Sequence, residues 1–162
     1  MRSIYENWNE HIVKLTWIPN MKIDNEKITS VHAICIQNSK VLLSLIEHNG
    51  FNIPGGHIDE GESLEEALHR EVLEEAYVEG ELIYLGCLEV NHEENPKFDP
   101  KGKYPLIAYQ AFYRLDVTKC HLFLREHESQ TRIWVEPSEI RYVMNDHELI
   151  NDIIEDALTI NA

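Results

Sequence analysis

The chain has 162 residues, enough for one domain with a sizeable core, and its 43% apolar and 27% charged content is typical of a globular protein. It carries 29 acidic and 14 basic residues, and the net charge of −15 argues against nucleic acid as a partner because it repels phosphate backbones. No apolar run is long enough for a transmembrane helix, and the start lacks the apolar core of a signal peptide. The three cysteines are scattered and form no disulfide framework, so we expect a cytoplasmic protein without a membrane partner.

The first part of the chain predicts strands built around one hairpin. Residues 1–10 are polar and are expected to be loosely ordered, and a strand follows over His11–Ile18 until Pro19 closes it. Two apolar stretches, Val31–Ile36 and Val41–Ile46, flank a short polar turn and predict a hairpin. Nearly every residue of both stretches is apolar, which favours a sheet covered on both faces.

The rest of the chain alternates between helical and extended patterns. The predicted elements are, in order, a helix over Ser63–Ala76, strands over Leu82–Val90, Leu106–Leu115 and Arg132–Val135, a helical turn over Glu136–Ile140 and an amphipathic helix over Asp146–Leu158. A long polar segment, Asn91–Tyr104, separates two of these strands, and connections of that length are more often functional than idle. This order predicts an α+β fold, an α/β/α sandwich with a mixed sheet flanked by helices, in a single domain over residues 1–162.

Three glutamates stand out on the first predicted helix. Its apolar stripe (Leu64, Ala67, Leu68 and Val72) continues into Glu71 and Glu75, with Glu74 at its edge. Spacings of three and four residues make the three carboxylates neighbours, so they repel one another. A glutamate-rich surface helix is one interpretation, but such a helix would place these acids opposite the apolar stripe.

The other interpretation is a site for a hard divalent cation, which prefers several oxygen ligands close together. Because the three side chains offer only oxygen, Mg²⁺ or Mn²⁺ is favoured over zinc. Gly55 and Gly56 precede the helix and leave the main chain bare, so a ligand or metal can approach it.

The spacing of fixed positions in this segment is specific. Counting from Gly56, Glu62 follows after five residues and Arg70-Glu71 after seven more. The remaining fixed positions hold Val72, Glu74-Glu75 and Val78. The segment resembles the Nudix box and departs from it only at Tyr77, where the family has glycine. The resemblance covers about a seventh of the chain, and the surrounding order of elements is also similar to the Nudix fold.

The resemblance implies roles for individual residues. Glu71, Glu74 and Glu75 would be the catalytic carboxylates and would bind Mg²⁺ or Mn²⁺ together with the carbonyl of Gly56. Glu74 or Glu75 would also take the proton from the attacking water. Arg70 would orient the site by forming a structural ion pair with Glu62.

The missing box glycine raises a structural question at Tyr77. Glycine commonly supplies the left-handed residue that ends a helix. Tyr77 in that conformation would cost about 1–2 kcal/mol, or the helix ends differently. No carboxylate is lost, so we expect activity to survive.

Several residues outside the box are further candidates. Glu128 is the first choice for an additional acid, ahead of Glu126, Glu93 and Glu94, although each also suits a solvated surface. Phe51, Asn52 and His57 are expected to line the substrate cleft or to pack the loop around it.

The resemblance implies a metal-dependent enzyme that cleaves the pyrophosphate of a nucleoside diphosphate linked to another group. Its partner would be a small nucleotide-type substrate, and two copies could pair as a homodimer through the N-terminal strand. A pyrophosphatase for oxidised nucleoside triphosphates is the alternative enzyme. A non-catalytic nucleotide sensor is the alternative outside catalysis, but sensors usually lose box carboxylates and this chain keeps them.

Overall fold

The computed structural model describes residues 1–160. Nine strands and three α-helices lie within this range: β1 (Arg2–Trp8), β2 (His11–Pro19), β3 (Ile28–Gln37), β4 (Lys40–Ile46), β5 (Gly50–Asn52), β6 (Gly55–His57), α1 (Leu64–Ala76), β7 (Val78–Asn91), β8 (Ile107–Cys120), β9 (Ser129–Val135), α2 (Ile140–Val143) and α3 (Leu149–Thr159). None of the helices in these 160 residues is long and apolar enough to cross a membrane.

The strands form one mixed sheet in the order β1-β2-β7-β8-β3-β4-β5. β3 and β8 run parallel, with Val31 opposite Ala111, and the other neighbours are antiparallel. β6 pairs with β3, and β9 pairs with β4. The predicted fold class, a mixed sheet flanked by helices, is therefore confirmed.

Alternation along β3 divides the core between the two faces of the sheet. Val31, Ala33 and Cys35 pack in the cluster under α1, whereas Ile34 and Ile36 pack in the cluster that contains α3. Successive side chains of a strand point to opposite faces, so an apolar run of this kind serves both layers at once.

The predicted hairpin is present, but its two strands separate soon after the turn. Asn38 and Ser39 both have positive φ values, 52° and 63°, as the common two-residue hairpin turn requires. β3 and β4 then pair only through Ile36–Val41 and Gln37–Lys40. Beyond these pairs β3 continues along β6, and β4 continues along β5 and β9, so the sheet opens between them.

The N-terminus differs from its prediction. The expectation of a loosely ordered segment over residues 1–10 is wrong, because Arg2–Trp8 form an edge strand that pairs with β2 along its whole length. Arg2 also bonds both carboxylate oxygens of Asp152 on α3, at 3.1 and 3.0 Å. The polar alternation of an edge strand resembles that of a loop, which explains the error. Pairing of two copies through this edge stays a prediction.

The bounds of the other elements lie closer to their predicted positions than those of the N-terminal segment. β7 extends beyond its predicted range at both ends, β8 begins one residue after the predicted Leu106 and continues to Cys120, and α3 begins three residues after the predicted Asp146. The short β5 and β6 were not predicted, because three-residue strands containing glycine carry little pattern.

Candidate active site

Helix α1 begins with a capping box. The Ser63 hydroxyl accepts the Glu66 main-chain N–H at 3.1 Å, and the Glu66 side chain accepts the Ser63 N–H at 3.3 Å. These bonds satisfy two main-chain donors that a helix start leaves unpaired. They fix where the helix begins, and the helical repeat then fixes where Glu71, Glu74 and Glu75 lie.

Gly55 and Gly56 on β6 face opposite sides of the sheet. A Cβ on Gly55 would lie 2.4 Å from both His32 Nδ1 and the Val31 carbonyl oxygen. A Cβ on Gly56 would instead lie 2.6 Å from Cδ of Glu71. The absence of side chains therefore lets β3 approach from one side and the Glu71 carboxylate from the other.

Arg70 lies at the centre of the acidic cluster. Its Nε and Nη2 bond the two carboxylate oxygens of Glu62 at 2.8 and 2.9 Å, so the two residues form an ion pair. Nη1 bonds Oε1 of Glu71 at 2.9 Å and lies 3.6 Å from Oε2 of Glu74. Nη2 also donates to the carbonyl of His57 at 3.1 Å. One guanidinium thus joins the glycine turn, the acidic loop and α1.

Glu75 is the most buried of the three box carboxylates. Only 8% of the residue is exposed, and its Oε2 atom is buried without a hydrogen-bond partner in the described part of the chain. Burial, followed by the neighbouring Glu71 carboxylate, raises the pKa of Glu75 to about 8, while the Gly55 N–H acts in the opposite direction. Near neutral pH this site therefore holds a proton where a cation could bind.

The residues that could hold a cation are carboxylates at the end of α1. Among residues 1–160 no three His, Cys, Asp or Glu side chains are already arranged around a common metal position. Arg70 already contacts Glu71 and Glu74. The unpartnered oxygen of Glu75 and the oxygen-only donor set nevertheless fit a hard divalent ion.

Of the four additional acids considered, the structure brings Glu128 to the site. Its charge contributes to the raised pKa of Glu75. Glu94 instead lies beside Tyr5 on β1, where its carboxylate raises the pKa of the phenol. Glu126 is held by its main-chain N–H, which donates to the Tyr77 hydroxyl.

Tyr77 resolves the question raised by the missing box glycine. It adopts the left-handed conformation, with φ 57° and ψ 39°, and its N–H closes the helix on the Leu73 carbonyl. Its ring is buried and packs on Phe123, with centroids 4.7 Å apart. The hydroxyl accepts the Glu126 N–H at 2.9 Å. Tyr77 therefore anchors the loop of residues 121–128, which leads to Glu128.

The sheet face that α3 leaves uncovered forms a cleft of about 400 Å³ beside Glu75. Asn52 lines it, together with His32, Asp146 and His147, which the sequence did not assign to the site. Phe51 does not line this cleft and packs instead against the core on the α3 side. His57 lines an adjoining cavity of about 440 Å³. Asp146 is 94 residues from Asn52, so no local spacing could have indicated it.

Comparison with known proteins identifies the class to which this fold and cluster belong. The NUDIX domain family matches residues 26–155, most of the chain. The chain belongs to the Nudix hydrolase family, as the resemblance indicated.

Solved structures share the fold at low sequence identity. A pyrophosphohydrolase from Bacillus subtilis, BsRppH, is 21% identical with a TM-score of 0.72, and the alignment covers 96% of this chain and 95% of that one. The NUDIX domain of Shewanella oneidensis NrtR, solved with ADP ribose, is 20% identical with a TM-score of 0.60, covering 82% and 89%. The Escherichia coli dihydroneopterin triphosphate pyrophosphohydrolase is 16% identical with a TM-score of 0.59, covering 78% and 91%. No match was found among curated proteins.

The two glycines of β6 should respond differently to alanine. Gly55→Ala places a methyl group against the Val31 main chain, so the strands must separate, and we expect a loss of about 1–3 kcal/mol in unfolding free energy. Gly56→Ala meets only the end of the flexible Glu71 side chain, so stability should fall less while the carboxylate is displaced. Urea denaturation measures both, and equal losses would contradict the assignment of the two faces.

Tyr77→Gly should destabilise the protein even though it restores the family residue. It relieves about 1–2 kcal/mol of left-handed strain but removes a buried ring, which typically costs about 3–5 kcal/mol. Tyr77→Phe keeps the ring and should lose only about 0.5–1.5 kcal/mol with the hydroxyl. Denaturation gives the stabilities, and hydrogen exchange at the Glu126 amide reports loop anchoring. If the Tyr77→Gly protein were as stable as the wild type, Tyr77 would not anchor the loop of residues 121–128.

Stability of the metal-free protein should fall as pH rises. Unfolded Glu75 ionises near pH 4.5, whereas folded Glu75 keeps its proton up to about pH 8. The native state therefore binds more protons between these values and loses stability through that window, by about 1.4 kcal/mol for each pH unit as an upper limit. Denaturation in EDTA should show this slope reduced in Glu75→Gln. An identical slope in the variant would contradict the raised pKa.

Proposed function

We propose that this protein is a divalent-metal-dependent pyrophosphohydrolase acting on a nucleoside diphosphate linked to another group. The observation that carries the proposal is the buried oxygen of Glu75, which has no hydrogen-bond partner among residues 1–160 and belongs to a residue that lines a cleft. All three box carboxylates are present, which favours an enzyme over a sensor. The neighbour solved with ADP ribose binds a ligand of the proposed substrate class.

The metal would be Mg²⁺ or Mn²⁺, held by Glu71, Glu74, Glu75 and the carbonyl of Gly56. A bound cation would supply positive charge to the pyrophosphate oxygens and make a water molecule more acidic. It would replace the proton on Glu75, and it would compete with Arg70 for Glu71 and Glu74. An ionised Glu75 that is buried without a partner costs free energy, and a bound cation would remove that cost. Burial of Glu75 would therefore favour metal binding.

The protein's own groups would bind and orient the substrate. Asn52 lines the cleft beside Glu75 and would contact the group linked to the diphosphate. Either Glu74 or Glu75 would accept the proton of the attacking water, and Glu128 would add negative charge nearby. Arg70 would act through Glu71, because its contacts reach carboxylates and a main-chain carbonyl. Attack of the water at one phosphorus would break the bridging P–O bond and release the other phosphate together with the group attached to it.

Glu75→Gln should reduce turnover by a factor of about 100 or more, since the amide can neither bind the cation as an anion nor accept a proton. Formation of nucleoside monophosphate from a panel of nucleotide sugars and dinucleoside polyphosphates, with Mg²⁺ and with Mn²⁺, measures this. Glu155→Gln makes the same change on an exposed position of α3 and should leave turnover unchanged. Unaltered turnover in Glu75→Gln, or full activity in EDTA, would refute the proposal.

A further inference from the structure

The carboxyl end of α1 is held by side chains that reach it from the sheet. The last carbonyls of a helix find no N–H donor within the helix itself. Here the carbonyls of Glu75, Ala76 and Tyr77 each accept a hydrogen bond from a side chain on β4 or β9. Three successive main-chain groups, beginning with that of Glu75, are therefore fixed from outside the helix.

Two residues supply these bonds, and they lie opposite each other in the sheet. Ser44 on β4 is buried, and its hydroxyl donates to the Glu75 carbonyl at 3.0 Å. Its partner in the register of β9 is Arg132. Nη1 of Arg132 donates to the carbonyls of Ala76 and Tyr77 at 2.9 and 3.0 Å. In the described part of the chain, the hydrogen bonds of this guanidinium go only to main-chain carbonyls.

Arg132 also ties the loop of residues 121–128 to the same end of α1. Its Nη2 donates to the His121 carbonyl at 2.9 Å, and its Cζ lies 5.7 Å from the centre of the Phe123 ring. The strand that carries Arg132, β9, begins directly after Glu128. One guanidinium therefore contacts the last turn of α1 and the start of the loop, and it lies on the strand into which the loop leads.

We infer that Ser44 and Arg132 are positioning residues for the metal-binding carboxylates and act on them through the main chain. This rests on the proposed function, in which Glu75 binds the cation. The carbonyl carbon and the Cβ of Glu75 share one Cα, so a bond that fixes the carbonyl also fixes the direction in which the carboxylate leaves the helix. Metal sites typically lose affinity when such an outer partner of a ligand is removed.

The arrangement depends on the shape of the Arg132 side chain as well as on its charge. A cation at the carboxyl end of a helix opposes the partial negative charge of the carbonyls, and lysine supplies such a charge too. Only the planar fork of arginine holds several acceptors at fixed angles. Arg132→Lys therefore keeps the charge and removes the geometry, so weaker metal binding in this variant would report a change of position.

Arg114 offers a matched control at the end of another helix. It lies on β8, and its Nη1 donates to the carbonyls of Ala157 and Ile160 at 2.8 and 3.1 Å, at the end of α3. None of the box glutamates lies on α3. Arg114→Lys therefore removes the same kind of contact between an arginine and a helix end, but away from the carboxylate cluster.

A milder pair of variants tests the inference if Arg132→Lys does not fold. Ser44→Ala removes only the hydroxyl that bonds the Glu75 carbonyl. Ser129→Ala removes a similarly buried hydroxyl on β9, which has no hydrogen-bond partner within residues 1–160. Both variants delete one oxygen from a buried serine, so the lost bond to Glu75 is what separates them.

Binding of Mn²⁺, followed through the free-ion signal in electron paramagnetic resonance, measures the site without turnover. The binding that disappears in Glu75→Gln defines the box site among the other acidic groups of the chain. At that site, Arg132→Lys should bind Mn²⁺ about tenfold more weakly than the wild type. Ser44→Ala should bind it about threefold more weakly, because a single hydrogen bond is lost.

The two control variants, Arg114→Lys and Ser129→Ala, should keep the wild-type affinity for Mn²⁺. Urea denaturation establishes that each variant is folded under the binding conditions. Wild-type affinity in Arg132→Lys, or an equal loss in Arg114→Lys, overturns the inference and leaves the proposed function intact. If Arg132→Lys does not fold, an affinity in Ser44→Ala no weaker than that in Ser129→Ala overturns the inference.

Failure of the proposed function gives a different pattern. If the wild type neither binds Mn²⁺ at a site that depends on Glu75 nor hydrolyses any linked nucleoside diphosphate, the proposed function and the inference are both refuted. Mn²⁺ binding that weakens in the expected variants, without hydrolysis of any of these substrates, refutes the proposed function and supports the positioning role.

Discussion

The guanidinium group of Arg70 is the interaction on which the acidic end of α1 depends. Two of its nitrogens bond Glu62, and the third, Nη1, lies close to the carboxylates of Glu71 and Glu74. These ion pairs raise the pKa of Arg70, so the positive charge is held firmly. A single cation offsets part of the repulsion among several carboxylates, and the site stays short of positive charge. That deficit is concentrated at Glu75, which Arg70 does not contact.

Local features of the site could be predicted from the sequence because they depend on short spacings. The helix after Ser63 and the grouping of its three glutamates follow from the helical repeat, whereas the Glu62–Arg70 pair was implied by the resemblance to the Nudix box. The mixed sheet also follows from the order of apolar stretches. Two other features did not follow: the strand at residues 2–8 is polar enough to resemble a loop, and the approach of Glu128 to Glu75 joins residues far apart in the chain.

The left-handed Tyr77 shows why a departure from the family pattern can be structural. Glycine would adopt this conformation without strain, and tyrosine adopts it at a cost. The buried ring and its bond to the Glu126 N–H offset that cost through contacts that glycine cannot make. The same carboxylates can therefore be retained while the helix end acquires a second role in ordering the following loop.

The hairpin of β1 and β2 lies outside residues 26–155, the part of the chain that matches the family. It nevertheless places Trp8 and His11 on a cavity next to the box. β2 pairs with β7, and its side chains Val13, Leu15 and Trp17 pack in the cluster on the α3 side rather than under α1. The indole of Trp17 also donates to Asp156 at 2.7 Å. An appended edge of this kind can accumulate substitutions without disturbing the helix that carries the box glutamates. Evolution could therefore alter what the cavity admits independently of the chemistry beside it.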